Sequence, residues 1–95
     1  MARILIVDDE VKIREVVREY AEVSGYDVKE AKDGREALEL VEREDFDVIV
    51  LDIMMPYLDG FSACRQIKKI KNIPIIMLSA RQEEFDKLFG FELGV

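Results

Sequence analysis

Val48-Ile49-Val50-Leu51-Asp52 decides the fold. Its four apolar residues, three of them β-branched, read as a strand buried on both faces. An aspartate closes the run, where such a strand leaves its sheet. Met54, Met55 and Pro56 follow, and Pro56 cannot continue a ladder, so Asp52 is expected at a strand-to-loop exit. The rest of the chain reads as scaffolding that brings other polar groups to that carboxylate.

Two further runs have the same grammar. Arg3-Ile4-Leu5-Ile6-Val7 ends in Asp8, Asp9 and Glu10, and Ile75-Ile76-Met77-Leu78 ends in Ser79. Tyr26 to Ala31 alternates instead, which predicts a half-exposed strand at an edge. Between the strands the period changes to that of a helix. Ile13, Val16, Val17, Tyr20 and Ala21 form one apolar stripe, with Lys12, Arg14, Glu15, Arg18 and Glu19 on the polar face, and Gly25 as a left-handed stop. Ala37, Leu38, Leu40 and Val41 give a second stripe, with Asp33 placed to cap it. Phe61, Cys64, Ile67 and Ile70 give a third, capped by Asp59. Gln82 to Leu93 gives a last one, through Phe85, Leu88 and Phe89.

The order β-α-β-α-β-α-β-α, with connections of a few residues, predicts a doubly wound parallel sheet with right-handed crossovers. Ninety-five residues bound a single domain, 1–95, with one core. Fourteen basic against 21 acidic residues leave a net charge of −7, which argues against gripping nucleic acid through its phosphates and favours cations or basic partners. Cys64 is alone, so no intrachain disulfide or cysteine-based metal cluster is possible, and it reads as a small buried hydrophobe. The chain has no histidine, which removes Ser-His-Asp and Cys-His nucleophile systems. With no signal peptide at Met1-Ala2-Arg3 and no apolar run near membrane length, the expected compartment is the cytoplasm, with no membrane partner.

In open parallel sheets ligands collect beyond the carboxyl ends of the strands. The three most apolar strands are expected side by side, which gathers Asp8, Asp9, Asp52 and Ser79 in one crevice. Crowded carboxylates raise one another's pKa unless a cation sits among them, and Mg²⁺ suits oxygen donors of this kind. A carboxylate beside such an ion can attack a phosphoryl group, with the Ser79 hydroxyl donating to one of its oxygens. Asp52 is the best-placed nucleophile, with Asp8 and Asp9 as metal holders. Helix capping is a rival role for Asp8 and Asp9, compatible with the first.

At these residues the chain resembles the receiver domain of two-component response regulators. The resemblance rests on Ile6-Val7-Asp8-Asp9-Glu10, on Leu51-Asp52-Ile53-Met54-Met55-Pro56 with Asp59-Gly60, and on Pro74 through Arg81. It implies a flavodoxin-like fold with strand order 2-1-3-4(-5). It implies that Asp52 accepts phosphate from a sensor histidine kinase, and that Asp9, Asp52 and the Met54 backbone carbonyl ligate Mg²⁺, Asp8 acting through water. Ser79 corresponds to the switch hydroxyl, with the Ala80 backbone as a further phosphate contact. The Met-Met-Pro loop and the Met77–Arg81 run look most like the transcription-factor branch, whose C-terminal DNA-binding domain is a winged helix.

The family continues through a fifth strand, an essential lysine and a final helix. The sequence stops at Val95, and Lys87 does not fit that lysine's motif. The expectation is therefore an incomplete receiver that self-associates or pairs a strand at an open sheet edge. Its activity would be self-phosphorylation and slow self-dephosphorylation at most. The rival reading is a structural fragment without a competent switch. Two other readings fail on motif. An aspartate-nucleophile phosphatase needs Asp-x-Asp, where Asp8-Asp9-Glu10 stands, and a flavin carrier needs a Ser/Thr-rich phosphate loop after the first strand.

Overall fold

The computed structural model describes residues 2–55 and 58–78. Strands and helices alternate through them: β1 (Arg3–Val7), α1 (Val11–Val23), β2 (Asp27–Ala31), α2 (Gly34–Arg43), β3 (Val48–Asp52), α3 (Gly60–Ile70) and β4 (Ile75–Leu78). The strands form a parallel sheet in the order β2-β1-β3-β4. This is the expected flavodoxin-like order over the described part. The helical reading of Gln82–Leu93 lies outside the described residues.

Parallel register sorts the side chains. Leu5, Ile49 and Ile75 lie abreast, as do Val7, Leu51 and Met77. These six pack against Ala37, Leu40 and Val41 of α2 and Ala63 and Ile67 of α3 to make the main core. The other face carries Ile4, Ile6, Val28, Val48 and Val50, packed on Val17 and Ala21 of α1.

The two faces are covered unequally. Ile49 and Leu51 are fully buried, whereas Val48 and Val50 are only half buried, so β3 is not sealed on both faces as its composition suggests. The reason is position. α1 lies on β1 and β2, to one side of β3. Val17 and Ala21 turn inward, while Val16 and Tyr20 stand 52% and 75% exposed.

α3 also departs from its expected stripe. The buried row is Gly60, Ala63 and Ile67, with Cys64 half buried and Phe61 and Ile70 largely outside. A strict three-residue repeat drifts around a 3.6-residue helix, so over nine residues Phe61 and Ile70 end on opposite flanks of the helix, with the buried face at Ile67 between them.

The helix ends follow local chemistry. Gly25 has φ 91° beyond the end of α1, a left-handed position that favours glycine. Asp33 accepts the Glu36 N–H at 2.8 Å, while the Glu36 carboxylate reaches back to the Lys32 N–H at 2.8 Å. Asp59 accepts the Ser62 N–H at 2.9 Å and starts α3. At the far end of α3, Lys71 donates to the Glu44 carbonyl at 3.1 Å and to Asp45 at 2.9 Å. It ties the end of α3 to the loop before β3. Asp33→Ala is expected to lower stability by about 1 kcal/mol, read from the urea midpoint, because it orphans an N-terminal amide of α2. Asp33→Asn, which keeps the acceptor, should leave the midpoint nearly in place.

Candidate functional site: an acidic crevice at the strand exits

Asp8 follows β1 and Asp52 ends β3. These two strands are neighbours, with Val7 opposite Leu51, so the next residue of each emerges from the sheet side by side. Asp9 is one residue further on. One carboxylate oxygen from each of Asp8, Asp9 and Asp52 can be chosen so that all lie within 4.8 Å of one another. Asp8 and Asp52 are 6% and 5% exposed, and Asp9 is open to solvent.

Local hydrogen bonds fix both buried carboxylates. Asp8 Oδ1 accepts the Glu10 N–H at 2.9 Å, and Asp52 Oδ1 accepts the Met54 N–H at 3.3 Å. The Asp8 amide donates to the Ala31 carbonyl at 3.2 Å, which extends the ladder to β2 beyond the strand end. The Asp8 carbonyl accepts from Arg14 Nη1 at 2.8 Å. At the opposite lip, the Ile53 N–H donates to the Leu78 carbonyl at 2.8 Å, and the Gly60 N–H donates to the Ile53 carbonyl at 2.9 Å.

Burial pushes the Asp52 pKa up to about 7, and the negative charges of Asp8, Asp9 and Glu10 add to that. The Met54 N–H works the other way. Asp8 is also raised, first by burial and then by Asp9 and Glu10, against the pull of the Glu10 N–H. Oxygen-rich, partly dry and repulsive, the site is the kind that a hard divalent cation stabilises.

Of the residues named from sequence, Asp8, Asp9 and Asp52 converge. Met54 sits at the rim, and its described contact with Asp52 is through its N–H. Ser79 and Ala80 lie outside the described residues. Two residues have a part in the site that the sequence does not show. Gly60 packs directly on the backbone of residues 52 and 53. Arg14, placed on the polar face of its helix, has a side chain only 16% exposed and points to the β1–α1 turn.

A family model described as the response regulator receiver domain matches residues 4–95. The chain is similar to the alkaline phosphatase synthesis transcriptional regulatory protein PhoP of Bacillus subtilis. The two are 52% identical over 93 residues, which cover 97% of this chain and 39% of PhoP. The chain spans between 36% and 41% of the length of the curated relatives it matches. Its fold is similar to that of the response regulator TrrA of Thermotoga maritima solved in complex with Mg²⁺-BeF. There the TM-score is 0.83 at 38% identity, over 93% of this chain and 77% of that one. It is also similar to a chain in the complex of the histidine kinase ThkA with TrrA, with TM-score 0.80 and 41% identity, over 84% of this chain and 70% of that one.

Proposed function

The chain belongs to the response regulator receiver domain family of two-component systems, and within that family we propose that it is a phospho-acceptor switch whose acceptor is Asp52. The observation that carries the reading is the convergence of three carboxylates, two of them buried, at the exits of adjacent parallel strands. Asp52 is the nucleophile because it leaves the inner strand β3 and is held from one side by the Met54 N–H, which leaves its second oxygen for attack. The reaction forms a bond between that oxygen and phosphorus. The phosphorus–nitrogen bond of a kinase phosphohistidine breaks, and its electron pair returns to the imidazole.

The donor set of Asp8, Asp9 and Asp52 fits Mg²⁺. Asp9, Asp52 and the Met54 carbonyl would hold the ion, with Asp8 acting through water. Bound there, the ion supplies positive charge that keeps Asp52 ionised and offsets charge on the transferred phosphoryl group. Asp8 and Asp9 hold the site open, and the Glu10 and Met54 amides orient the carboxylates. Ser79 and the Ala80 amide would follow the transferred phosphoryl group.

Two similar structures support the reading: TrrA was solved with Mg²⁺-BeF, and TrrA was solved in complex with a histidine kinase. The partner is accordingly a sensor histidine kinase in the cytoplasm. The output is regulation of a transcription domain in the longer protein, in line with PhoP. The module modifies itself and turns over no separate substrate.

Intact mass after incubation with Mg²⁺ and a small acyl phosphate tests this. A gain of one phosphoryl group is expected, absent in Asp52→Asn and abolished by chelator. No gain in a sample that still melts cooperatively would sink the switch and leave a structural module.

A further inference from the structure

Two basic residues on α1 point toward the sheet edge and share one acid, but they do different things. Arg14 Nε donates to Glu30 Oε1 at 2.8 Å, and its Nη1 donates to the Asp8 carbonyl at 2.8 Å. Arg18 Nε lies 2.8 Å from Glu30 Oε2, a charge contact without hydrogen-bond alignment, and its Nη2 donates to the Val28 carbonyl at 3.0 Å. Arg18 therefore braces β2 alone. Arg14 joins β2 to the turn that carries Asp8, Asp9 and Glu10.

The contact completes a set. The Asp8 amide is held by Ala31, its carboxylate by the Glu10 N–H, and its carbonyl by Arg14. Only the last of these comes from a side chain, and that side chain is itself anchored to β2 by a buried-edge ion pair. Glu30 is positioned to absorb the guanidinium charge. Burial and the acidic neighbours, not Arg14, head the influences on Asp8 and Asp52. What Arg14 gives the crevice is geometry, two donors of one rigid plane set at right places on two elements.

We infer that Arg14, locked by Glu30, is a positioning residue that presets the Asp8-Asp9 turn for a divalent cation. The inference rests on the proposed function, since it assumes that the crevice is a cation site. Partners one step removed from metal ligands commonly change affinity by about ten-fold or more when lost. Arg14 fits that description through the peptide of Asp8.

The test is Mg²⁺ affinity by titration calorimetry near neutral pH, alongside the melting temperature in chelator. Arg14→Ala is expected to bind Mg²⁺ about ten-fold more weakly. Arg14→Lys keeps the charge and loses the fork, and it should follow Arg14→Ala. Arg18→Ala removes a comparable ion pair to the same Glu30, and it should stay within about two-fold of the parent protein because it does not touch the turn. A purely structural role for Arg14 would move the melting temperature of the Arg14 and Arg18 variants alike and leave the affinities together. Wild-type affinity in either Arg14 variant, or an equal loss in Arg18→Ala, overturns the inference. Should Arg14→Ala fail to fold, Arg14→Lys decides the matter. Absence in the parent protein of Mg²⁺ binding that Asp52→Asn removes overturns the proposed function as well. Intact affinity in the Arg14 variants alone overturns only their positioning role.

Discussion

Gly60→Ala is expected to destabilise the protein by roughly 3 kcal/mol or more, read from the urea or thermal midpoint. A Cβ at Gly60 would collide with the Asp52 carbonyl oxygen and stand 2.6 Å from Ile53 Cα and 3.0 Å from the Asp52 carbonyl carbon. All three are backbone atoms, so no flexible side chain can swing away. Either α3 retreats from the sheet or the exit of β3 bends. The first loosens the packing of Ala63 and Ile67, which are fully buried. The second re-aims Asp52, so Mg²⁺ binding should fall with stability. Gly25→Ala is the useful contrast. Nothing lies within 4 Å of its added Cβ, and the cost is the left-handed backbone at φ 91°, about 1 kcal/mol. Its loss of stability should come without loss of metal affinity. Equal midpoints for the two variants would show that the contact at Gly60 relaxes freely.

Asp52→Asn is expected to stabilise the metal-free protein at pH 7.5 by about 2–4 kcal/mol. The sign follows from where the proton sits. Asp52 has an ordinary value of 3.8 and a folded value of about 7, so the folded chain binds the proton more tightly than the unfolded one. Its favourable contribution is complete below about pH 4 and is lost as pH rises toward 7. Asp8 is raised too and acts in the same direction. In chelator, stability should therefore fall between pH 5 and pH 7.5, and Mg²⁺ should restore it. In Asp52→Asn the slope should flatten and the response to Mg²⁺ should largely disappear. Glu44, Asp45 and Asp59 have lowered values, set mainly by Arg3, Lys71 and the Ser62 N–H. Their contributions are lost as pH falls toward and below 4, outside the window being read. A stability that rises with pH across that window in chelator would contradict the electrostatic account of the crevice.

Much of this was legible in the sequence, for reasons that can be stated residue by residue. Strands β1, β3 and β4 show as unbroken apolar runs, each closed by a polar residue. The convergence of Asp8, Asp9 and Asp52 then follows from parallel topology, because strand exits share one end of the sheet. Asp33 and Asp59 show as caps because their function is local. The features that stayed hidden are relations between distant segments. Tyr20 has the right period for a buried stripe, but periodicity gives a helix face and not what lies under it. Gly60 after Asp59 shows in the sequence only as part of a family motif, whereas its steric necessity comes from β3, eight residues earlier in the chain. Arg14 reads as part of a polar helix face and Glu30 as part of a half-exposed edge strand. They are 16 residues apart and meet only because α1 crosses back over the β1–β2 pair.

The register of β1 against β3 has one more consequence. Asp8 and Asp52 each come one residue after the Val7–Leu51 pair and so face each other across two neighbouring parallel strands, and the separation of their backbones derives from the spacing of hydrogen-bonded strands, roughly 4.8 Å in any such sheet. That spacing acts as a ruler that no loop or helix surface can reset. Helix faces and loops around the crevice are free to diverge toward new partners while the distance between the buried charges stays put. A scaffold of this kind separates whom it answers from what it does: recognition can drift, and the chemistry keeps its gauge.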